Sequence, residues 1–384
     1  MRPPAGQQPA WGRPQPSWGP AQPAWGQPVA QPRPLQGHPQ QHPQNPYQGP
    51  PVHPPQPPRS GSPLRMVLLG LVAAIAVGFF AFSLASFLTD EEAVVGPAPG
   101  ESTAPTPGET TAPPEPEPPV IPEPDMNPSD TPVPKTFAEA EQWLVGNALY
   151  GQTVQAPTNC PVPRFNAGTA SPEQAQAHLN ELTACLTAVW LGPMQRAGFE
   201  LPRPPATVVT QPITSACGDI GSGTIAYCGG DQRIYYASDG PAVFQNSTPD
   251  IVYEPFFLAN IIGHEFGHHL QARTGILYSQ NALRQETKSE DLDLELSRRK
   301  EIQADCFAGV FLHAVDQASQ LTDAERAALS DVTYAVGDDI INNAPGYVGD
   351  HGTGDARRAW FKVGNGSPQV AVCNTWTAPA DQVR

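Results

Sequence analysis

Apolar positions change their period along this chain, and each period predicts a different kind of element. Met66 to Leu88 is an unbroken apolar run of twenty-three residues without a charge. As a helix it is long enough to cross a ~30 Å hydrocarbon core, and it begins too far from the N-terminus for an ordinary cleaved signal peptide. Further on the spacing becomes helical and amphipathic. Leu179, Leu182, Leu186 and Val189 predict a long helix over 172–198, opened by a capping box of Ser171 and Gln174 with Pro172 in the first turn. Thr136 with Glu139 marks another helix start. Between about 205 and 238 the runs are short and β-rich: Thr207-Val208-Val209-Thr210, Thr224-Ile225-Ala226-Tyr227 and Arg233-Ile234-Tyr235-Tyr236. Cys228-Gly229-Gly230-Asp231 supplies the turn between the last two. From about 251 to 273 the helical period returns, and a further helical segment covers about 291–316.

Composition divides the chain around these elements. Only 39 % of residues are apolar, and 49 Pro with 34 Gly in 384 residues far exceed ordinary usage, which points to one folded domain joined to disordered segments. Residues 1–65 form a Pro/Gln/Trp-rich arm with five Arg and no Asp or Glu. Its Pro-Ala-Trp-Gly-like motifs at Trp11, Trp18 and Trp25 recur every seven residues, but the prolines exclude a coiled coil and favour polyproline-like disorder. Such an arm is a solvated tail or a docking segment for an intracellular partner. Residues 66–88 are read as a single transmembrane helix and 89–135 as a Pro/Glu/Thr-rich stalk that holds the next domain away from the lipid. Arg59 and Arg65 precede the span while Asp90, Glu91 and Glu92 follow it. The positive-inside rule therefore places the N-terminus in the cytoplasm and the folded domain, 136–384, outside the cell membrane. A formal net charge of −16 argues against nucleic acid as a partner. All six cysteines, Cys160, Cys185, Cys217, Cys228, Cys306 and Cys373, fall in the outer domain, where up to three disulfides are expected. Cys217 and Cys228 flank a Gly-rich stretch and are suited to close a hairpin; spacing alone does not pair the other four.

The candidate chemistry lies in the two later helices. His264-Glu265-Phe266-Gly267-His268 puts two imidazoles one helical turn apart, able to converge on one metal ion, with Glu265 rotated about 100° from His264 as a base rather than a ligand. Phe257, Ile261, His264 and His268 fall at i, i+4, i+7 and i+11, so the histidines continue an apolar stripe and point inward. His269 points elsewhere, as a surface residue or a supporter of the site. In the next helix Glu301, Asp305, Ala308 and Leu312 share one face. Carboxylates followed by small and apolar residues suit a core face only if a cation lies opposite. Two histidines and Glu301 around one Zn²⁺, with the fourth position open, meet that need, and Asp305 is placed to accept the other ring N–H of a ligating histidine. The competing reading is a solvated acidic face paired with Arg298 or Lys300.

These segments together resemble the bacterial putative neutral zinc metallopeptidases. The resemblance is carried by His264 to His269, by Glu301-Ile302-Gln303-Ala304-Asp305-Cys306-Phe307-Ala308-Gly309-Val310-Phe311, and by His351-Gly352-Thr353 leading to Arg358-Ala359-Trp360-Phe361. Ser215-Ala216-Cys217-Gly218, Tyr227-Cys228, Asp231 and Ile234-Tyr235 add to it, over roughly 136–376. It implies an α+β, mainly helical, zincin-like domain with a small sheet. It also implies His264, His268 and Glu301 as zinc ligands, Glu265 as the base and Asp305 as support. Cys306 with Cys373, Cys217 with Cys228, and Cys160 with Cys185 are the implied disulfides. The family usually has Pro after the cysteine at position 228, where Gly229 stands here. The expected activity is hydrolysis of a peptide or protein substrate, Glu265 taking a proton from a zinc-activated water and passing it to the leaving amine. His351 is the candidate for a further oxyanion donor. The β-run 224–236 is a candidate edge for an extended peptide. The alternative from another class is a surface binding or scaffold protein with a structural or vestigial zinc site.

Overall fold

The computed structural model describes residues 121–157 and 160–384. The arm expected over 1–65, the span over 66–88 and the stalk as far as residue 120 lie outside the described residues. Among the described residues no helix is long and apolar enough to cross a membrane.

The domain is mainly helical, with a small sheet. Helix α1, Phe137–Val145, starts where Thr136 accepts a hydrogen bond from the Glu139 amide. Helix α2, Pro172–Arg196, has the full Ser171–Gln174 capping box and buries Leu179, Leu182, Leu186 and Val189. It stops just before Gly198, which takes the left-handed conformation at φ 83°. Strands β1 (Ala206–Val209), β4 (Ile225–Cys228) and β5 (Arg233–Ala237) form a sheet in the order β1-β5-β4. β1 runs parallel to β5 and β4 antiparallel to it. A separate hairpin of β2 (Ile213–Ser215) and β3 (Gly218–Ile220), absent from the sequence reading, leads into β4. In the β4–β5 turn the left-handed residue is Gln232, φ 55°, rather than a glycine. Its side chain offsets that strain by donating to the Ser129 carbonyl and accepting from Arg273.

Helix α3, Phe257–Arg273, begins later than the expected 251, after a 3₁₀ turn at Pro249–Tyr253. Pro255 explains the delay, since it keeps Glu254 extended at ψ 131°. Helix α4, Ile276–Glu286, precedes the long α5, Glu290–Ser319, which is buried along most of its length from Leu296 to Val315. The C-terminal helices α6 (Asp323–Ala335), α7 (Asp338–Ile341) and α8 (Gly354–Asn365) complete the domain. Two glycine contacts set α5 close to its neighbours. A Cβ on Gly267 of α3 would stand 2.9 Å from Ala304 Cα, and one on Gly364 of α8 would strike the Cys306 carbonyl. Large side chains from α2, α3, α5 and α8, among them Trp190, Phe257, Phe266, Phe307, Phe311 and Phe361, fill the core.

All six cysteines are paired, as Cys160–Cys185, Cys217–Cys228 and Cys306–Cys373. The second bond ties the β2–β3 hairpin to the end of β4, and the third ties α5 to the C-terminal segment. The described part of the expected stalk, 121–135, does not stand clear of the domain. Its Asp125 amide donates to the Arg203 carbonyl, and its Ser129 carbonyl accepts from Arg273 and Gln232. The cause is Arg273, a buried cation at the end of α3 whose donors need acceptors that Ser129 helps supply.

Candidate metal centre

Helices α3 and α5 face each other across Gly263 and Gly267 on one side and Ala304 and Ala308 on the other. This close approach brings His264, His268 and Glu301 together. Glu301 Oε2 lies 3.2 Å from His264 Nε2 and 3.2 Å from His268 Nε2. Two atoms each 2.0–2.1 Å from one tetrahedral centre stand about 3.3 Å apart, so these separations match the edge of a tetrahedral zinc site. The three side chains are 4 %, 12 % and 5 % exposed, which removes water as the stabiliser of their charges.

Each imidazole is oriented from behind. His264 Nδ1 donates to Asp305 Oδ1 at 2.8 Å. Asp305 also accepts from Arg357 Nε at 2.7 Å and Nη2 at 2.9 Å, while Arg357 Nη1 donates to the Val336 carbonyl. The short approach to a carboxylate makes Nδ1 the protonated nitrogen, leaving the Nε2 lone pair for the site. His268 is held by neutral groups instead: its Nδ1 donates to Gln271 Oε1 at 2.8 Å. The Gln271 amide is fixed by donating to the Lys300 carbonyl and to Gln303 Oε1, and Gln303 donates to the Tyr150 hydroxyl and the Cys373 carbonyl. Arg357, Gln271 and Gln303 were missed in the sequence. The available signal was polar residues at inward positions, one turn or less from His268 and Glu301 for the two glutamines.

Burial pushes the Glu301 carboxyl up, but the charges of Lys300 and His268 outweigh it and hold Glu301 well below the usual range. Asp305 is likewise pushed up by burial and brought lower by Arg357 and His264. Burial opposes the charged form of His264, yet Asp305 and Glu301 prevail and raise it to about 9. Without a metal, then, His264 carries a proton at neutral pH that a bound ion would displace.

Glu265, 3 % exposed, points the other way round the helix, towards the sheet. Its Oε2 accepts the Tyr227 amide of β4 at 2.7 Å. Beside it a narrow recess has apolar walls from Ile225, Val243, Phe244 and Ile261 and reaches His264 and Glu265. His269 is not on the surface. It is fully buried, between the Tyr227 hydroxyl at 3.1 Å and the Pro202 carbonyl at 2.9 Å, because sheet and helices enclose α3 on every side. Burial depresses it to about 3. His351 lies outside the His264–His268–Glu301 cluster, on the loop before α8. Its Nδ1 is 2.9 Å from Asp350 Oδ1 and 3.3 Å from Asp338 Oδ1. Burial lowers its pKa, but these carboxylates and the charge of Glu301 raise it to about 10. Competition for Glu301 is visible too, since Lys300 Nζ sits 2.7 Å from its Oε1. The acidic face is thus buried against histidines and also paired with Lys300, whereas Arg298 donates elsewhere, to the carbonyls of Val383 and Gly349.

The chain is similar to YpfJ, an uncharacterized protein of Escherichia coli K12, at 34 % identity over 39 % of this chain and 57 % of that protein. It is similar to Rv2575, an uncharacterized protein of Mycobacterium tuberculosis H37Rv, at 27 % identity over 46 % of this chain and 63 % of that protein. The match thus spans less than two thirds of either relative. No solved structure matches. The family described as "Putative neutral zinc metallopeptidase" matches residues 142–376, which include the His264–Glu265–His268 helix, Glu301 and Asp305, and the chain belongs to that family.

Proposed function

We propose that this protein is a membrane-anchored, zinc-dependent peptidase that hydrolyses peptide bonds outside the membrane. One observation carries the reading: His264 Nε2 and His268 Nε2 meet a single oxygen of Glu301 at the edge length of a tetrahedral zinc site. His264, His268 and Glu301 hold one zinc ion, with Asp305 supporting His264. Zinc, when bound, supplies a Lewis acid that polarises a scissile carbonyl and acidifies water towards a pKa of about 7.

The chain's own groups do the rest. Glu265 accepts the proton of the attacking water and delivers it to the leaving amine. The Tyr227 amide keeps its carboxylate from swinging away. His351, held as an imidazolium by Asp338 and Asp350, is the donor for the developing oxyanion. β4 pairs with β5 on one side only, so an extended peptide can add at its other edge, one hydrogen bond from Glu265. The span at 66–88 anchors the protein, the arm 1–65 stays in the cytoplasm as a solvated tail or a docking segment for a partner that reads Pro and Trp, and the domain works outside. Three disulfides suit that oxidising side.

Metal analysis of the purified full chain tests the ligand set. One zinc per chain is expected, retained in Glu265→Gln and lost in His268→Ala and in Glu301→Gln. Zinc bound as tightly by His268→Ala as by the wild type would overturn the assignment.

A further inference from the structure

Glu301 uses its two oxygens differently, and the difference has a chemical meaning. Oε2 faces both histidines, while Oε1 is engaged by Lys300 Nζ at 2.7 Å. This is not the default contact of neighbours on a helix, because residues at i and i+1 project in directions about 100° apart and do not face each other. The Lys300 side chain instead folds towards the site, where it is only 13 % exposed beside a carboxylate that is 5 % exposed. A charge-assisted hydrogen bond of this length, largely shielded from water, holds that oxygen firmly. The backbone of the same residue also bears on the site, since the Lys300 carbonyl accepts the Gln271 amide that orients His268.

We propose that Lys300 is a positioning residue that reserves Glu301 Oε1, so that the carboxylate presents one oxygen to the metal. The inference rests on the zinc reading above and goes beyond it. The two oxygens of a carboxylate are equivalent ligands, and a glutamate free to close on zinc with both would occupy the space that water and substrate need. A hydrolytic site needs three protein ligands and an open fourth position. Lys300 secures that opening without itself touching the ion.

The test uses the full chain loaded with cobalt(II) in place of zinc, whose visible absorption is strong at coordination number four and weakens as the number rises. The wild type is expected to give the strong band. Lys300→Met should lose it, as the released oxygen raises the coordination number, and should lose about 10–100-fold in peptide hydrolysis, the usual cost of removing an outer partner of a metal ligand. Lys300→Arg, which can donate to the same oxygen, should keep the strong band. Should Lys300→Met fail to fold, Lys300→Leu, which likewise carries no donor, is read by the same criterion. A folded Lys300→Met or Lys300→Leu with the wild-type band would overturn the role of Lys300 and leave the zinc site standing. A wild type that takes up no cobalt would overturn both.

Discussion

At the scale of single residues, the centre is built from two unlike supports. His264 is backed by a charged pair, Asp305 with Arg357, and His268 by a chain of neutral amides, Gln271 and Gln303. The charged pair is the more sensitive of the two. Asp305 is 1 % exposed and Arg357 is fully buried, so removing the cation alone leaves a carboxylate without water and with His264 as its one remaining charged partner. Arg357→Met should therefore destabilise the metal-free protein by about 3–5 kcal/mol, and adding Asp305→Asn should recover much of that loss. Denaturant unfolding in chelator measures both; equal losses in the single and double variants would show that the pair is not the cause. Arg357 also marks a limit of sequence reading. An arginine is seldom fully buried unless paired, so its type argued for the surface. Asp305 on an inward face was the only hint that a cation had to follow.

Among the elements, the decisive feature is how closely α3 approaches α5. Glu301 reaches both histidines only because Gly267 lets the helices meet at Ala304. Gly267→Ala would push a methyl group into that backbone, at a cost of about 1–3 kcal/mol, and would move Glu301 away from the histidines. Gly364→Ala, which clashes at the α5–α8 contact instead, is the control. Both variants should lower the melting temperature, while only Gly267→Ala should weaken zinc binding in a chelator competition; equal weakening by both would refute the argument. The stripe on α3, the acidic face of α5 and the capped start of α2 were legible because burial imposes a 3.6-residue period and caps have fixed spacing. The start of α3 was misplaced by the proline at 255, and α4 and α6 to α8 went unread. The surface alternative for His269 failed for a different reason. A helix enclosed on all sides has no polar face, so the stripe through His264 identifies one inward direction among several.

For the molecule as a whole, the buried histidines pull stability in opposite directions with pH. Burial depresses His178 to about 4 and His269 to about 3, from an ordinary value of 6.5. Below pH 6.5 the unfolded chain binds protons that the folded state refuses, so their contribution falls as pH drops towards those values. His264 and His351 are raised to about 9 and about 10. For them the folded state binds the extra proton, so their contribution is complete below pH 6.5 and is lost as pH rises through those values. Glu325 adds to the acid side, its carboxylate being held near 2 chiefly by Arg164. The metal-free protein should thus be most stable near pH 6.5. Melting temperatures from pH 4 to 10 in chelator test this, and a steady rise from pH 6 to pH 10 would contradict it.

The central claim is that Glu265 and one ion at His264, His268 and Glu301 make a peptidase. Peptide-library digestion by the full chain tests it most directly, after chelation, after return of one equivalent of zinc, and with Glu265→Gln. Cleavage should vanish with the chelator, return with zinc, and stay absent in Glu265→Gln although that variant still holds its metal. Zinc-loaded wild type that cuts no peptide, or hydrolysis that survives in Glu265→Gln, would contradict the claim.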